Sequence, residues 1–227
     1  MLEILYEDNH LIAVNKKAGD IVQGDKTGDP PLSEFVKKYI KKKYKKPGEV
    51  FLGTIHRLDR PTSGVLLYAR TSKALSRMNQ QFKNKEVQKT YWAIVNNPPP
   101  SNSGNLENFL QKNQQRNKSY VVKGSKGKHA ILNYKLINKL DNFFQLEIKP
   151  KTGRHHQIRV QLAHIGCVIK GDLKYGAKRS NQDSSIDLLA QKIEFIHPVK
   201  DIPIRITAPI PKGKVWEACI KQDQHQL

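Results

Sequence analysis

Apolar and polar positions alternate along this chain in a way that predicts many short strands and few helices. Leu2 to Tyr6 and Leu11 to Val14 are apolar runs separated by Glu7-Asp8-Asn9-His10, which reads as strand, turn, strand. Lys17-Ala18-Gly19 opens a loop that ends near Pro30-Pro31. Ser33 is then placed as the N-cap of a helix with Phe35, Val36 and Ile40 on its apolar face, stopped by Pro47-Gly48. Thr54 to Arg70 reads as strand and loop. Ser72 is placed as the cap of a second helix that buries Leu75, Met78 and Phe82. Lys89 to Val95 is rich in aromatic and β-branched residues and predicts a strand. The stretch N-N-P-P-P-S-N-S-G-N that follows is the best linker in the chain. It is read as a long connection inside one domain, because strand-like segments continue on both sides.

Residues 111 to 129 are polar and basic, interrupted by a strand at Tyr120-Val121-Val122, and Ala130 to Leu136 predicts another. Phe144, Leu146 and Ile148 alternate with Gln145, Glu147 and Lys149, the pattern of a half-buried strand. A helix is expected from about His155 to Ile165, with Ile158, Leu162 and Ile165 on one face and Gly166 at its C-cap. A loop over 176–185 and strands at Leu188 to Phe195 and Ile202 to Thr207 complete the reading. The sum is an α+β fold: a mixed, mostly antiparallel central sheet flanked by helices, expected as a single domain over 1–227.

Charge changes the picture next. Lysine and arginine number 40 against 20 acids, a net charge of +20 over 227 residues. That excess implies a polyanionic partner, with nucleic acid first and an anionic membrane surface second. Residues 37–46, K-K-Y-I-K-K-K-Y-K-K, hold seven lysines with Tyr39 and Tyr44 interleaved, suited to tracking a phosphate backbone. Such a run also serves simply as a solvated face. Cys167 and Cys219 make neither a disulfide framework nor a paired-cysteine metal motif, and fit a reducing, cytoplasmic setting. The start, M-L-E-I-L-Y-E-D-N-H, has no basic region and is not read as a signal peptide. No apolar run approaches the roughly 20 residues of a membrane span.

Three segments carry candidate chemistry. In I-H-R-L-D-R-P-T-S-G-V-L-L, residues 55–67, Asp59 lies between Arg57 and Arg60 and is bracketed by apolar residues. Cationic company favours the ionised carboxylate, a suitable catalytic group; the plainer reading is a surface turn with a salt bridge. In K-T-G-R-H-H-Q-I-R-V-Q-L-A-H-I-G, residues 151–166, Arg159 stands at the edge of the apolar face, from which its fork can reach a carboxylate at the domain centre. Gly153 and Arg154 before the helix suit a phosphate, although a basic helix start on the surface fits too. In K-T-Y-W-A-I-V, residues 89–95, Tyr91 is either a stacking platform for a base or a core aromatic. His155 and His156 are adjacent and on a helix would point about 100° apart, so no metal site is expected. A glycoside hydrolase needs two cooperating carboxylates, and these segments contain only Asp59. Ser63 lacks the flanking glycines of a nucleophile elbow and is assigned to turn formation.

Together these segments resemble the RluA family of pseudouridine synthases. H-R-L-D-R-P-T-S-G matches its catalytic-aspartate signature, K-T-Y-W-A its tyrosine strand and G-R-H-H-Q-I-R-V-Q-L-A-H-I-G its arginine motif, in the family's order. Y-E-D-N-H-L-I-A-V-N-K near the start, G-D-L-K-Y-G at 171 and I-E-F-I-H-P at 193 are similar as well, so the resemblance runs from about residue 2 to 210. Lys17 stands where the family usually has proline, and Leu188-Leu189-Ala190-Gln191 where it usually has Leu-His-Ala-Arg. Many relatives carry a small N-terminal RNA-binding domain, whereas this chain is expected to begin at the catalytic domain.

The resemblance implies an isomerase that breaks the N1–C1′ bond of a uridine in RNA, rotates the base and rejoins it through C5. Nothing is added or removed, so no cofactor or metal is implied. Asp59 is implied as the catalytic acid group, either attacking C1′ or removing a ribose proton. Arg159 is implied to pair with Asp59, and Tyr91 to stack on the flipped base. Arg57 matches the residue that fills the space the base leaves; Arg60, Lys89 and Arg154 are further RNA-contact candidates. Ribosomal and transfer RNA are both expected substrates, and a cytoplasmic monomer is the expected form. The competing class is a non-catalytic RNA-binding or ribosome-assembly protein on the same fold. A pure binder has no use for an acid that repels phosphate, which favours the enzyme.

Overall fold

The structure, a computed structural model, describes residues 2–24 and 28–225. Residues 25–27 of the expected loop between Lys17 and Pro31 lie outside them. In chain order the elements are β1 (Ile4–Glu7), β2 (Leu11–Lys16), α1 (Leu32–Lys43), β3 (Gly53–Thr54), β4 (Ser63–Ala69), α2 (Ser72–Lys83), β5 (Gln88–Val95), β6 (Ser103–Asn113), β7 (Lys118–Val122), β8 (Lys128–Lys139), β9 (Phe144–Pro150), α3 (Gln157–His164), β10 (Leu188–Ile196), β11 (Pro203–Thr207) and α4 (Lys214–His225). Every described strand register is antiparallel, as the α+β reading expects. The chain divides into two compact units, Met1–Lys89 with Ala190–Pro209, and Thr90–Leu189 with Ile210–Leu227.

The first unit is built on strands in the order β1-β2-β4-β10, with β11 on β10 and β3 on β4. Leu11 to Val14 and Leu66 to Ala69 are fully buried on both faces of their strands, which is why they read as unbroken apolar runs rather than as alternation. α1 buries Leu32, Val36 and Ile40, one row at i, i+4, i+8, whereas Phe35, expected on that face, is 48% exposed. Pro31 and not Ser33 is its N-cap, since the fixed φ of proline suits the turn into a helix. Likewise Thr71 and not Ser72 caps α2, its Oγ1 accepting the Ala74 N–H at 3.2 Å. Gly64 has φ +116, and a Cβ there would lie 2.3 Å from the Ala190 carbonyl oxygen, so β4 approaches β10 as closely as only glycine allows.

The second unit has strands in the order β5-β9-β8-β6-β7. β6 and α4 were not expected from the sequence. β6 buries only Leu110 fully, so its polar faces carry no period-2 signal. α3 starts two residues later than expected because His156 occupies the left-handed region at φ 54. Nor is it amphipathic: residues 157–162 are all buried. The side-chain amides of its buried glutamines both donate to backbone carbonyls, which makes that burial tolerable. Gln157 donates to the Ile131 carbonyl at 3.0 Å and accepts from Thr152 Oγ1 at 2.8 Å, while Gln161 donates to the Leu106 carbonyl at 3.1 Å. Gly166, at φ +82, follows the helix as expected, and Cys167 N–H closes the end by donating to the Leu162 carbonyl at 2.9 Å.

Candidate active site

Asp59 lies in the loop between β3 and β4, where it is half-buried between the buried Leu58 and exposed Arg60. The loop is tied down by its backbone. The Asp59 carbonyl accepts the Thr62 N–H at 3.0 Å, and the Arg60 carbonyl accepts the Gly19 N–H at 2.9 Å. Lys16, at the end of β2, is 0% exposed, and its Nζ donates to the carbonyls of Lys17 (3.0 Å), Arg60 (2.9 Å) and Thr62 (2.7 Å). Three ammonium donors thus meet three carbonyls on and around the Asp59 turn. Burial pushes the Lys16 pKa down to about 8, against the pull of the Asp20 and Asp59 carboxylates, with Arg60 adding to the fall. Lys16 was not singled out as a site residue from the sequence. The signal was there: Lys16 shares one face of its strand with Ile12 and Val14, both fully buried.

The arginines on either side of Asp59 reach the connection that precedes α1. Arg57, exposed, donates to Gln23 Oε1 at 3.3 Å, and Arg60 pairs with Asp29 Oδ2 at 2.7 Å. His56 holds the loop to β4: its Nε2 accepts the Leu67 N–H at 3.1 Å, and its ring stacks on Phe82 with centroids 5.5 Å apart. Burial, helped by the charge of Lys89, pushes the His56 pKa down to about 3, so the ring is a neutral acceptor. Lys89 itself is half-buried with its Nζ 5.7 Å from the Phe82 ring centre, and burial lowers its pKa.

Tyr91 and Arg159 belong to the second unit. Tyr91 sits on β5 opposite Ile148 of β9 and packs, half-buried, against the core that includes Leu146, Ile148, Ile158 and Leu162. Arg159 is 4% exposed. Its Nε and Nη2 donate to Oδ2 and Oδ1 of Asp172 at 2.7 and 2.8 Å, a two-pronged pair that fixes the plane of the guanidinium. The Tyr175 ring lies under the same guanidinium at 5.1 Å. Tyr175 is fixed in turn: its hydroxyl accepts the Ser119 N–H at 2.9 Å, donates to the Ser119 carbonyl at 3.2 Å, and lies 3.0 Å from His156 Nδ1. The segment G-D-L-K-Y-G therefore supplies both supports of Arg159, a role that residue type alone did not announce.

The paired histidines do not diverge as helix neighbours would. His155 and His156 precede α3 and stack with ring centres 3.8 Å apart. Burial, together with Arg159, His155 and nearby lysines, holds the His156 pKa down at about 2. Arg154 is exposed, its Nε donating to the His129 carbonyl at 2.8 Å. Among the described residues no three His, Cys, Asp or Glu side chains cluster as metal ligands, and no helix is long and apolar enough to cross a membrane. The expected site residues thus divide between the units: Arg57, Asp59, Arg60 and Lys89 in the first, Tyr91, Arg154 and Arg159 in the second.

Comparison with known proteins gives a consistent result. The family model for RNA pseudouridylate synthase matches residues 10–164, a span that includes Asp59, Tyr91 and Arg159. The ribosomal large subunit pseudouridine synthase D of Xylella fastidiosa is 33% identical over 93% of this chain and 66% of its own length. The ribosomal large subunit pseudouridine synthase C of Buchnera aphidicola is 34% identical over 91% of this chain and 67% of its own. The chain therefore spans about two thirds of the length of these curated relatives. In fold it is similar to human RNA pseudouridylate synthase domain containing 4, with a TM-score of 0.78, 22% identity and coverage of 97% of this chain and 92% of that one. The RluA-type resemblance of its motifs and the match of the family model agree: the chain belongs to the RNA pseudouridylate synthase family.

Proposed function

We propose that this chain isomerises uridine to pseudouridine in ribosomal RNA, with its two units forming one catalytic domain. The observation that carries the reading is the match of the family model across Asp59, Tyr91 and Arg159 in a single span. Ribosomal RNA is preferred to transfer RNA because the relatives at 33% and 34% identity are named for the large ribosomal subunit. In the reaction the N1–C1′ bond breaks, C5 bonds to C1′, and the C5 proton is replaced by one on N1. Atoms balance without an oxidant, reductant or cofactor.

The residues take these roles in the proposal. Asp59 acts at the ribose as an ionised carboxylate, its backbone held by Lys16 at the Arg60 and Thr62 carbonyls. Arg159 serves as the cationic partner of the catalytic carboxylate, its guanidinium plane held by Asp172. Tyr91 stacks on the flipped base, worth about 1–3 kcal/mol, which offsets the few kcal/mol that unstacking costs. Arg57 fills the space the base leaves, and Arg60, Lys89 and Arg154 contact the RNA. The protein works as a cytoplasmic monomer.

Carbodiimide labelling with reverse-transcription stops, on ribosomal and transfer RNA from cells with and without this protein, tests the reading. Loss of a defined ribosomal stop, restored by wild type and not by Asp59→Ala, is the expected result. Restoration by Asp59→Ala sinks the site assignment, and a lost stop confined to transfer RNA sinks the substrate.

A further inference from the structure

Helix α1 presents cations that the fold itself does not use. Its apolar row, Leu32, Val36 and Ile40, is buried in the first unit. Two of its lysines are matched: Lys37 pairs with Glu34 at 2.9 Å and Lys43 with Glu7 at 2.7 Å. Lys38, Lys41 and Lys42 on the helix, and Lys45 and Lys46 just past its end, are exposed and have no ion-pair partner among the described residues. Lys38 faces Lys41 and Lys42 at i+3 and i+4, spacings at which like charges destabilise a helix by a few tenths of a kcal/mol each. The helix C-terminus favours cations in the last turn, which accounts for Lys41 and Lys42 in part but not for Lys38.

The helix is anchored to the loop of Asp59. Leu32 N–H donates to the Ile21 carbonyl at 2.7 Å, and Gly19, in the same connection, donates to the Arg60 carbonyl at 2.9 Å. From that anchored end the helix runs for about 18 Å, at 1.5 Å per residue, so its free lysines stand about 9 Å and more along the axis from its start. At its far end Tyr44 is fixed by Glu7 and by the Arg70 guanidinium 4.5 Å from its ring centre, which sets the direction of the lysine row.

We propose that Lys38, Lys41, Lys42, Lys45 and Lys46 form an accessory docking surface for the phosphate backbone of the substrate RNA, outside the nucleotides that enter the site. The proposal rests on the reading of the chain as an RNA-modifying enzyme. Charge decides the class of partner. A helix that binds a membrane surface must bury an apolar face in it. α1 has spent its apolar row on its own core, and Phe35 alone of the helix's large apolar side chains remains exposed. What is left is a row of ammonium groups, which suits a polyanion in solution.

The test compares wild type with the five-fold variant K38Q/K41Q/K42Q/K45Q/K46Q, and with the matching five-fold arginine variant, on a large-subunit ribosomal RNA transcript. Glutamine keeps helix propensity and all five side chains are exposed, so the fold is kept and is checked by circular dichroism. If each lysine meets one phosphate, the glutamine variant's slope of log affinity against log salt is shallower by roughly 4. Between 50 and 200 mM salt the wild type then loses roughly 250-fold more affinity than that variant. The arginine variant keeps the wild-type slope. A glutamine variant within one unit of the wild-type slope overturns the surface, as does an arginine variant that loses it. So does loss of binding to phosphatidylserine vesicles with RNA affinity unchanged, which assigns the face to lipid. Conversion of uridine by the wild type is scored on the same transcript. Intact conversion with an unchanged slope overturns this surface alone, whereas the expected slopes without conversion sink the enzymatic reading and leave the surface standing.

Discussion

The substitution Asp172→Asn probes the support of Arg159 directly. The pair is 5% and 1% exposed at the side chains and joined by two hydrogen bonds of 2.7 and 2.8 Å. Asparagine keeps the shape but has one acceptor where aspartate has two, and turns an N–H donor toward a guanidinium N–H. Removing one member of a buried pair costs about 3–5 kcal/mol, mostly because the other charge stays behind in a dry site. The Tyr175 ring, 5.1 Å from the guanidinium in wild type and variant alike, keeps the cation partly compensated and sets the loss at the lower end of that range. A loss near 3 kcal/mol is therefore expected, a fall of roughly 6–12 °C in the unfolding midpoint at this chain length. The assay is urea unfolding followed by tryptophan fluorescence and far-ultraviolet dichroism. The double variant Asp172→Leu with Arg159→Met removes both charges and is expected to recover most of the loss. It stays inactive on RNA under the proposed function. The reasoning is refuted if Asp172→Asn unfolds within 1 kcal/mol of wild type, or if the double variant is no more stable than the single.

Two further outcomes follow from the first unit and from the histidines. Gly64→Ala places a Cβ 2.3 Å from the Ala190 carbonyl oxygen at φ +116, so β4 must shift; a stability loss of at least about 2–3 kcal/mol is expected, and a neutral effect in thermal unfolding contradicts the close approach. His56 and His156 are held neutral in the fold, with pKa values of about 3 and about 2, while the unfolded chain protonates them near 6.5. The unfolded state then binds more protons below pH 6.5, so the stability they contribute is complete above that pH and falls as pH drops, by about 1 kcal/mol per pH unit for each ring. Unfolding midpoints at pH 7.5, 6.0 and 5.0 check this. His56→Gln, which keeps an acceptor for the Leu67 N–H, halves the slope, and equal midpoints at all three pH values rule the effect out.

The parts of the fold that the sequence announced are those where burial follows chain periodicity. β2 and β4 are buried on both faces and appear as continuous apolar runs. α2 shows its helix through Met78, but the structure moves the cap by one residue to Thr71 and buries Ala74 with Met78, leaving the expected Leu75 and Phe82 only partly buried. β6 was hidden because ladder hydrogen bonds to β7 and β8, and not a buried face, hold it in place. α3 was legible as a helix but not as a buried one, since two of its inward positions are glutamines whose partners lie on distant strands. Backbone pairing and polar satisfaction leave little trace in a hydrophobic pattern.

The candidate site divides along the same line. Asp59, Tyr91 and Arg159 stood out because the segments that carry them resemble the family's motifs in the family's order, and the family model spans all three. The groups that hold them did not stand out, because each acts across a gap in sequence. Lys16 reaches the carbonyl of Arg60, 44 positions on, and Asp172 reaches back 13 positions to Arg159. A lysine at the end of an apolar strand and an aspartate before a turn are ordinary residues until the fold shows that one is 0% and the other 1% exposed. A charge buried that deeply persists only with partners that satisfy it. Here those partners are the backbone of the aspartate turn and the fork of the arginine. The two least conspicuous ions of the site therefore fix its two most conspicuous segments, and substitution at either is expected to disturb the geometry of the residue it supports before it disturbs the binding of RNA.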